Sequence, residues 1–174
     1  MANMKRESLF SFPNPVNELS ARLVAVGVVT LTVSSILLGH YFDFHWLLIP
    51  LAYGFWARVL TGPKLSPLGL LVTKWIVPAL GNPGKRTAGP PKRFAQALGT
   101  GFSTTALVLQ FGFGLTGLSF IVLGGLVFAA TLEAAFNFCL GCRIFGVLMR
   151  VGLIPESVCR ECTEYLPARL KPGF

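Results

Sequence analysis

Long uncharged runs dominate the chain, and few places break them. Leu23 to Phe42 carries no charged residue, which suits a helix crossing a hydrocarbon layer; such a helix takes about 20 mostly apolar residues. Phe44 to Ala57 is also uncharged but short. It reaches a full span by taking in Arg58, whose long side chain can snorkel, and continuing to about Gly62. Phe94 to Leu132 is one uncharged run of 39 residues. As a single helix it would be about 58 Å long at about 1.5 Å per residue, roughly twice the hydrocarbon thickness, so it must fold back. The Gly-rich stretch Gly112 to Gly117 is the natural turn.

These runs predict an all-α integral membrane fold. Four transmembrane helices in two hairpins are expected near 21–42, 44–62, 94–112 and 118–139, within a membrane domain covering 1–150. A cytoplasmic, cysteine-containing tail follows over 151–174. Asn14-Pro15 has the form of an N-cap followed by proline in the first helical turn, which predicts that the first helix starts there. Ser66-Pro67 repeats the signal for a helix near 67–77, with Leu68, Leu71 and Trp75 at helical spacing and Pro78 as its end. It is too short to span. We read it as an amphipathic helix in the inner interface, with Lys74 and Trp75 at headgroup level. No small-x-small cleavage pattern follows the first apolar run, so it does not read as a removable signal.

Composition excludes the main alternatives. Of 174 residues 53% are hydrophobic and only 13% charged, about half the charge of an ordinary soluble domain. Disorder is excluded by the same apolar content. The net charge is +8. In a soluble protein that would suggest nucleic acid; in a chain this apolar it is a topology signal, and no nucleic acid partner is expected. The link between the first two spans holds Asp43 and no Lys or Arg, and the turn after the third span is uncharged. All 15 basic residues fall on the other side. The positive-inside rule then predicts four spans with both termini cytoplasmic. The basic loop Gly81 to Arg93, with Lys85, Arg86, Lys92 and Arg93, is expected to face anionic lipid of the bilayer.

All four cysteines come as two CxxC pairs, Cys139/Cys142 and Cys159/Cys162, with 16 residues between the pairs. That spacing falls in the range of four-thiolate zinc sites. A closed Cys139–Cys142–Cys159–Cys162 shell would hold a structural zinc. The same dithiols serve redox chemistry or sulfur relay when one thiol has a depressed pKa. Cys139 stands near the C-terminal end of the fourth span, an unfavourable dipole for a thiolate, whereas a helix break before Cys142 would improve it. A third reading has Cys139 and Cys142 packing a helix end as small apolar residues. Among other candidates, Glu133 lies within the fourth span and Arg58 at similar depth in the second, which predicts an intramembrane Arg58–Glu133 ion pair. His40, Asp43 and His45 gather at the outer link as a weaker metal candidate. Trp46 falls where an outer aromatic belt is expected. No Walker loop, dinucleotide fingerprint or Ser-His-Asp order is present, so hydrolase and nucleotide chemistry find no support.

At Ser66-Pro67-Leu68-Gly69-Leu70-Leu71, at Pro91 to Gly99, and above all at Ala134-Ala135-Phe136-Asn137-Phe138-Cys139-Leu140-Gly141-Cys142, the chain resembles the bacterial membrane family called "domain of unknown function 4395". The resemblance covers roughly residues 13–150. It implies a small multi-pass membrane protein, associated with thioredoxin-like proteins and sulfurtransferases, and thus thiol redox or sulfur transfer. It brings no defined activity, so whether the chain is an enzyme stays open. Only Cys139 and Cys142 carry over; Cys159 and Cys162 lie in a tail outside the match. The competing expectation is a non-catalytic accessory subunit of a larger membrane complex.

Overall fold

The computed structural model describes residues 16–81, 86–87 and 89–154. The expected helix start at Asn14-Pro15, the second cysteine pair Cys159/Cys162 and most of the tail lie outside the described residues.

The described chain is all-α apart from one two-residue pairing. Strand β1 (Val16–Asn17) lies antiparallel to β2 (Arg86–Thr87), with Val16 opposite Thr87 and Asn17 opposite Arg86. Helix α1 (Glu18–Phe42) follows directly. Its N-cap is Asn17, three residues beyond Asn14, and the Asn17 side chain accepts from Leu19 N at 2.9 Å. An Asn cap offers an acceptor to the orphan first-turn amides. Asp43 closes α1 in the left-handed region at φ 54°.

Helix α2 (Leu48–Thr61) leads through a short 3-10 turn (Gly62–Lys64) to the Ser66-Pro67 signal. Ser66 caps α3 (Pro67–Leu71), accepting from Gly69 N at 3.3 Å. One π turn (Val72–Ile76) joins α3 to α4 (Val77–Ala79). Pro78 therefore does not stop the helical path, which runs to Ala79: after a π turn its missing N–H falls at the first turn of α4, where no partner is required. Helix α5 (Gly89–Phe111) begins five residues before the expected third span. The chain turns at 112–115, with Gly114 at φ 66°, into α6 (Thr116–Phe136) and then α7 (Leu140–Arg150).

α1 packs chiefly on α6, α6 on α5, and α5 on α2, while α7 lies across α5. Val24, Val28, Leu51, Phe55, Leu123 and Leu126 form the centre of the core. Close approach relies on small residues. A Cβ at Gly99 would stand 2.2 Å from the Phe55 ring, so this contact between α2 and α5 requires glycine. Small polar side chains are turned inward: Thr32, Ser35, Ser103 and Ser119 are fully buried, and Ser119 Oγ donates across the α5–α6 interface to Ala106 O at 2.9 Å. Large apolar side chains face outward, among them Leu37, Trp75, Ile121 and Phe128. Small residues inside and bulky apolar ones outside is the arrangement of helices packed in lipid. Among the described residues two helices, α1 and α6, are long and apolar enough to cross a membrane.

A cysteine-capped helix beside a buried charge cluster

The candidate site lies where α6 hands over to α7. Asn137 takes the left-handed conformation (φ 54°), and α6 ends on it: Asn137 N donates to Glu133 O at 3.1 Å and Phe138 N to Leu132 O at 3.1 Å. Asparagine tolerates this conformation better than most residues. Two contacts from α1 hold the end in place. Arg22 donates from Nε and Nη2 to Ala134 O at 3.3 and 3.1 Å, and Asn137 Nδ2 donates to Glu18 Oε1. A cation on the last carbonyls suits the negative end of the helix dipole.

Because α6 stops at Phe136, Cys139 is not its last residue. It is the N-cap of α7, in extended conformation, and its Sγ accepts from Cys142 N at 3.4 Å. Of the two settings considered from the sequence, a helix end or a helix break, the break is the one found, and it falls ahead of Cys139. The thiol sits at the positive end of one helix rather than the negative end of another, which favours the thiolate. A hydrogen bond from the Cys142 thiol holds Cys139 below the ordinary thiol range against burial and the Glu133 charge, which both raise it, and Lys92 adds to the lowering. Cys142 is pushed up, first by donating to Cys139 and then by burial. Both cysteines are free thiols; Cys139 is buried and Cys142 half-buried. The helix N-terminus is seated by Gly141, where a Cβ would come 2.6 Å from Ala95 Cα on α5. Phe145 packs on Phe94, ring centroids 5.7 Å apart.

The ion pair expected between Arg58 and Glu133 does not form directly. Glu133 pairs with Lys92 on α5, and both side chains are buried. Arg58, also buried, gives Nε–H to Gln96 Oε1 at 2.9 Å and Nη1–H to Ser66 Oγ at 3.4 Å, and lies 4.5 Å over the Phe55 ring. The reason is the early start of α5. Its extra first turn lifts Lys92 out of the expected loop and into the bundle, opposite Glu133. Nothing in the apolar pattern marks Lys92, since it stands outside the uncharged run.

At the outer link His45 Nδ1 lies 3.6 Å from Asp43 Oδ1 and 3.1 Å from Asp43 O; Asp43 is exposed, whereas His45 is buried and stacked on Phe120 at 6.2 Å. Among the described residues no group of three His, Cys, Asp or Glu side chains could hold a metal, so His40, Asp43 and His45 do not form the metal site considered above. The four-thiolate arrangement involves Cys159 and Cys162, outside the described residues.

Two cavities flank the cluster. One, of about 210 Å³, is lined by Glu133, Cys139, Gly141 and Gln96 with an otherwise largely apolar wall including Phe55 and Phe102. It gives a small reactant room beside the Cys139 thiol. The other, of about 250 Å³, is lined by Arg58, Lys92 and Gln96 together with Asn17, Ser20 and Thr73.

No curated protein and no solved structure matches the chain. The model of one family, a domain of unknown function (DUF4395), matches residues 16–150. That stretch holds every described helix and both cysteines of the α7 cap, and the chain belongs to the DUF4395 family.

Proposed function

We propose that this chain is a four-span protein of the bacterial cytoplasmic membrane, with both termini cytoplasmic, and that Cys139 and Cys142 perform thiol–disulfide exchange or sulfur transfer at its inner face. The observation that carries the chemistry is Cys139 capping α7 with its Sγ on Cys142 N. Cys139 acts as the attacking thiolate and Cys142, one helical turn on, resolves the mixed disulfide. Closing the Cys139–Cys142 disulfide hands two electrons and two protons to the partner's disulfide, which leaves as a dithiol. A thioredoxin-like protein or a sulfurtransferase is a partner of suitable chemistry.

In this reading α2 and α5 complete the four spans, and the segment from Pro67 to Ala79 lies in the inner interface with its exposed Trp75. The charge distribution supports the orientation. Arg22, Arg58, Lys92 and Arg93 stand at the end of the bundle that carries the cysteines, and the opposite turns, 43–47 and 112–115, contain no Lys or Arg. An Asp43→Cys variant in a cysteine-free background should react with impermeant maleimide from outside the cytoplasmic membrane; labelling only after lysis would reverse the topology.

The thiol reading is tested on the purified full chain by trapping free thiols across a series of glutathione-buffered potentials. The expected result is a two-electron couple that Cys139→Ser abolishes. Thiols that stay reduced and unreactive at every potential would overturn it. That outcome would favour the second reading, a non-catalytic subunit whose buried Cys139 packs the start of α7 or joins a structural zinc site.

A further inference from the structure

The cavity on the Arg58 side of the cluster has a charge and hydrogen-bond inventory that the thiol chemistry does not use. Two cations, Arg58 and Lys92, line it, and the one described carboxylate in contact with either, Glu133 on Lys92, is not part of its wall. The other described acids stand elsewhere: Glu18 bonds Asn137, and Asp43 is exposed at the far end of α1. Arg58 is 5% exposed, and its hydrogen-bond partners, Gln96 and Ser66, are neutral. A buried guanidinium without a carboxylate is costly unless something supplies negative charge.

The capacity left over is donor capacity. Arg58 uses Nε and Nη1, which leaves Nη2 uncommitted. Gln96 accepts through Oε1 from Arg58, so its amide N–H groups are the free end. Lys92 Nζ keeps protons beyond the one it gives Glu133. Meanwhile the hydroxyls of Ser20 and Thr73 donate to backbone carbonyls, Asn17 O at 2.8 Å and Gly69 O at 2.7 Å. Within a wall otherwise largely apolar, with Val24, Pro63 and Val77, the spare donors and the two cations match a small oxyanion. At about 250 Å³ the cavity lies below the usual range for drug-sized ligands, about 300–1,000 Å³.

We infer that this cavity binds a small oxyanion, held by Arg58, Lys92 and Gln96 at the cysteine-bearing end of the bundle. The anion supplies a counter-charge to Arg58, which no carboxylate among the described residues contacts. It arrives either as a free ion or as the phosphate of an anionic lipid headgroup, and the inference does not rest on the thiol reading.

Sulfate is the probe for the free ion. The full chain is reconstituted in nanodiscs of neutral phosphatidylcholine, and its melting temperature is followed against sulfate at constant ionic strength. Wild type should show saturable stabilisation. Arg58→Gln should weaken sulfate at least tenfold. Thr73→Phe, which keeps every charge and fills the space, should also abolish the effect, and it decides the matter if Arg58→Gln does not fold. Phosphatidylglycerol nanodiscs separate the two sources. For a headgroup site, phosphatidylglycerol competes with sulfate and stays on wild type but not on Thr73→Phe in native mass spectrometry; for a free-ion site, sulfate affinity is the same in both lipids. Wild type that neither responds to sulfate nor retains phosphatidylglycerol, or binding unchanged in Thr73→Phe, would overturn the inference.

Discussion

Lys92 on α5 and Glu133 on α6 form an ion pair with side chains only 8% and 14% exposed. At that depth neither charge is well solvated, so each depends on the other. Removing one partner of a buried pair typically costs about 3–5 kcal/mol, because the survivor is left uncompensated.

Glu133→Gln is therefore expected to destabilise the protein by about 3 kcal/mol or more. The double variant Lys92→Met with Glu133→Gln should cost clearly less than the sum of the two single changes. Reversible unfolding in mild detergent, run as a double-mutant cycle, checks this. Additive single effects would show that the two side chains do not act as a pair.

The cysteine cap predicts a pH dependence. Cys139 is held below the ordinary thiol range by the Cys142 hydrogen bond, with Lys92 contributing. Its alkylation rate should thus rise with pH through an inflection below that of an unfolded thiol, while Cys142, pushed up, reacts later. Lys92→Met should move the Cys139 inflection upward. The linkage sign follows from a folded pKa below the unfolded one. The thiolate's contribution to stability is fully present above the unfolded pKa and is lost as pH falls through the folded pKa. Mass-resolved iodoacetamide kinetics would measure both inflections.

Gly141 sets how closely α7 approaches α5. An added Cβ would meet the Ala95 backbone at 2.6 Å, and backbone cannot rotate away. Gly141→Ala is expected to cost about 1–3 kcal/mol through overpacking. It should also raise the Cys139 alkylation inflection by shifting the cap away from Lys92. Gly124→Ala, where an added Cβ meets nothing within 4 Å, serves as the control and should be nearly neutral.

His45 carries a structural prediction opposite to that of a metal ligand. Its Nε2 is buried without a hydrogen-bond partner, and the ring lies on Phe120. A buried unsatisfied polar atom costs about 1–3 kcal/mol. His45→Phe should keep or raise the melting temperature, with no dependence on added zinc. Zinc-dependent stabilisation of wild type that His45→Phe loses would reinstate the histidine cluster as a ligand site.

Much of the architecture was legible in local chemistry. The long apolar run had to fold back, and the chain does turn at Gly114, where φ 66° suits glycine. Ser66-Pro67 announced its helix because an N-cap acceptor and a first-turn proline act within a few residues. Those signals are short-range, so sequence alone carries them. It also carried the family, through the residues around Phe138 to Cys142.

The site was different. The identity of the two cysteines stood in the sequence, but their electrostatic setting did not. Whether Cys139 ends α6 or begins α7 depends on Asn137 adopting the left-handed conformation, which Arg22 and Glu18 from α1 help to hold. Likewise, both Arg58 and Lys92 were available to Glu133, and hydropathy favoured Arg58 because it interrupts an apolar run. The choice fell to Lys92 because α5 starts early and packs on α6, which brings residues 41 positions apart into contact. Spacing along the chain determines which helices form and which face each presents. Which buried charge meets which is decided by the helix packing, because desolvation makes each ion take the partner that the tertiary contacts place beside it.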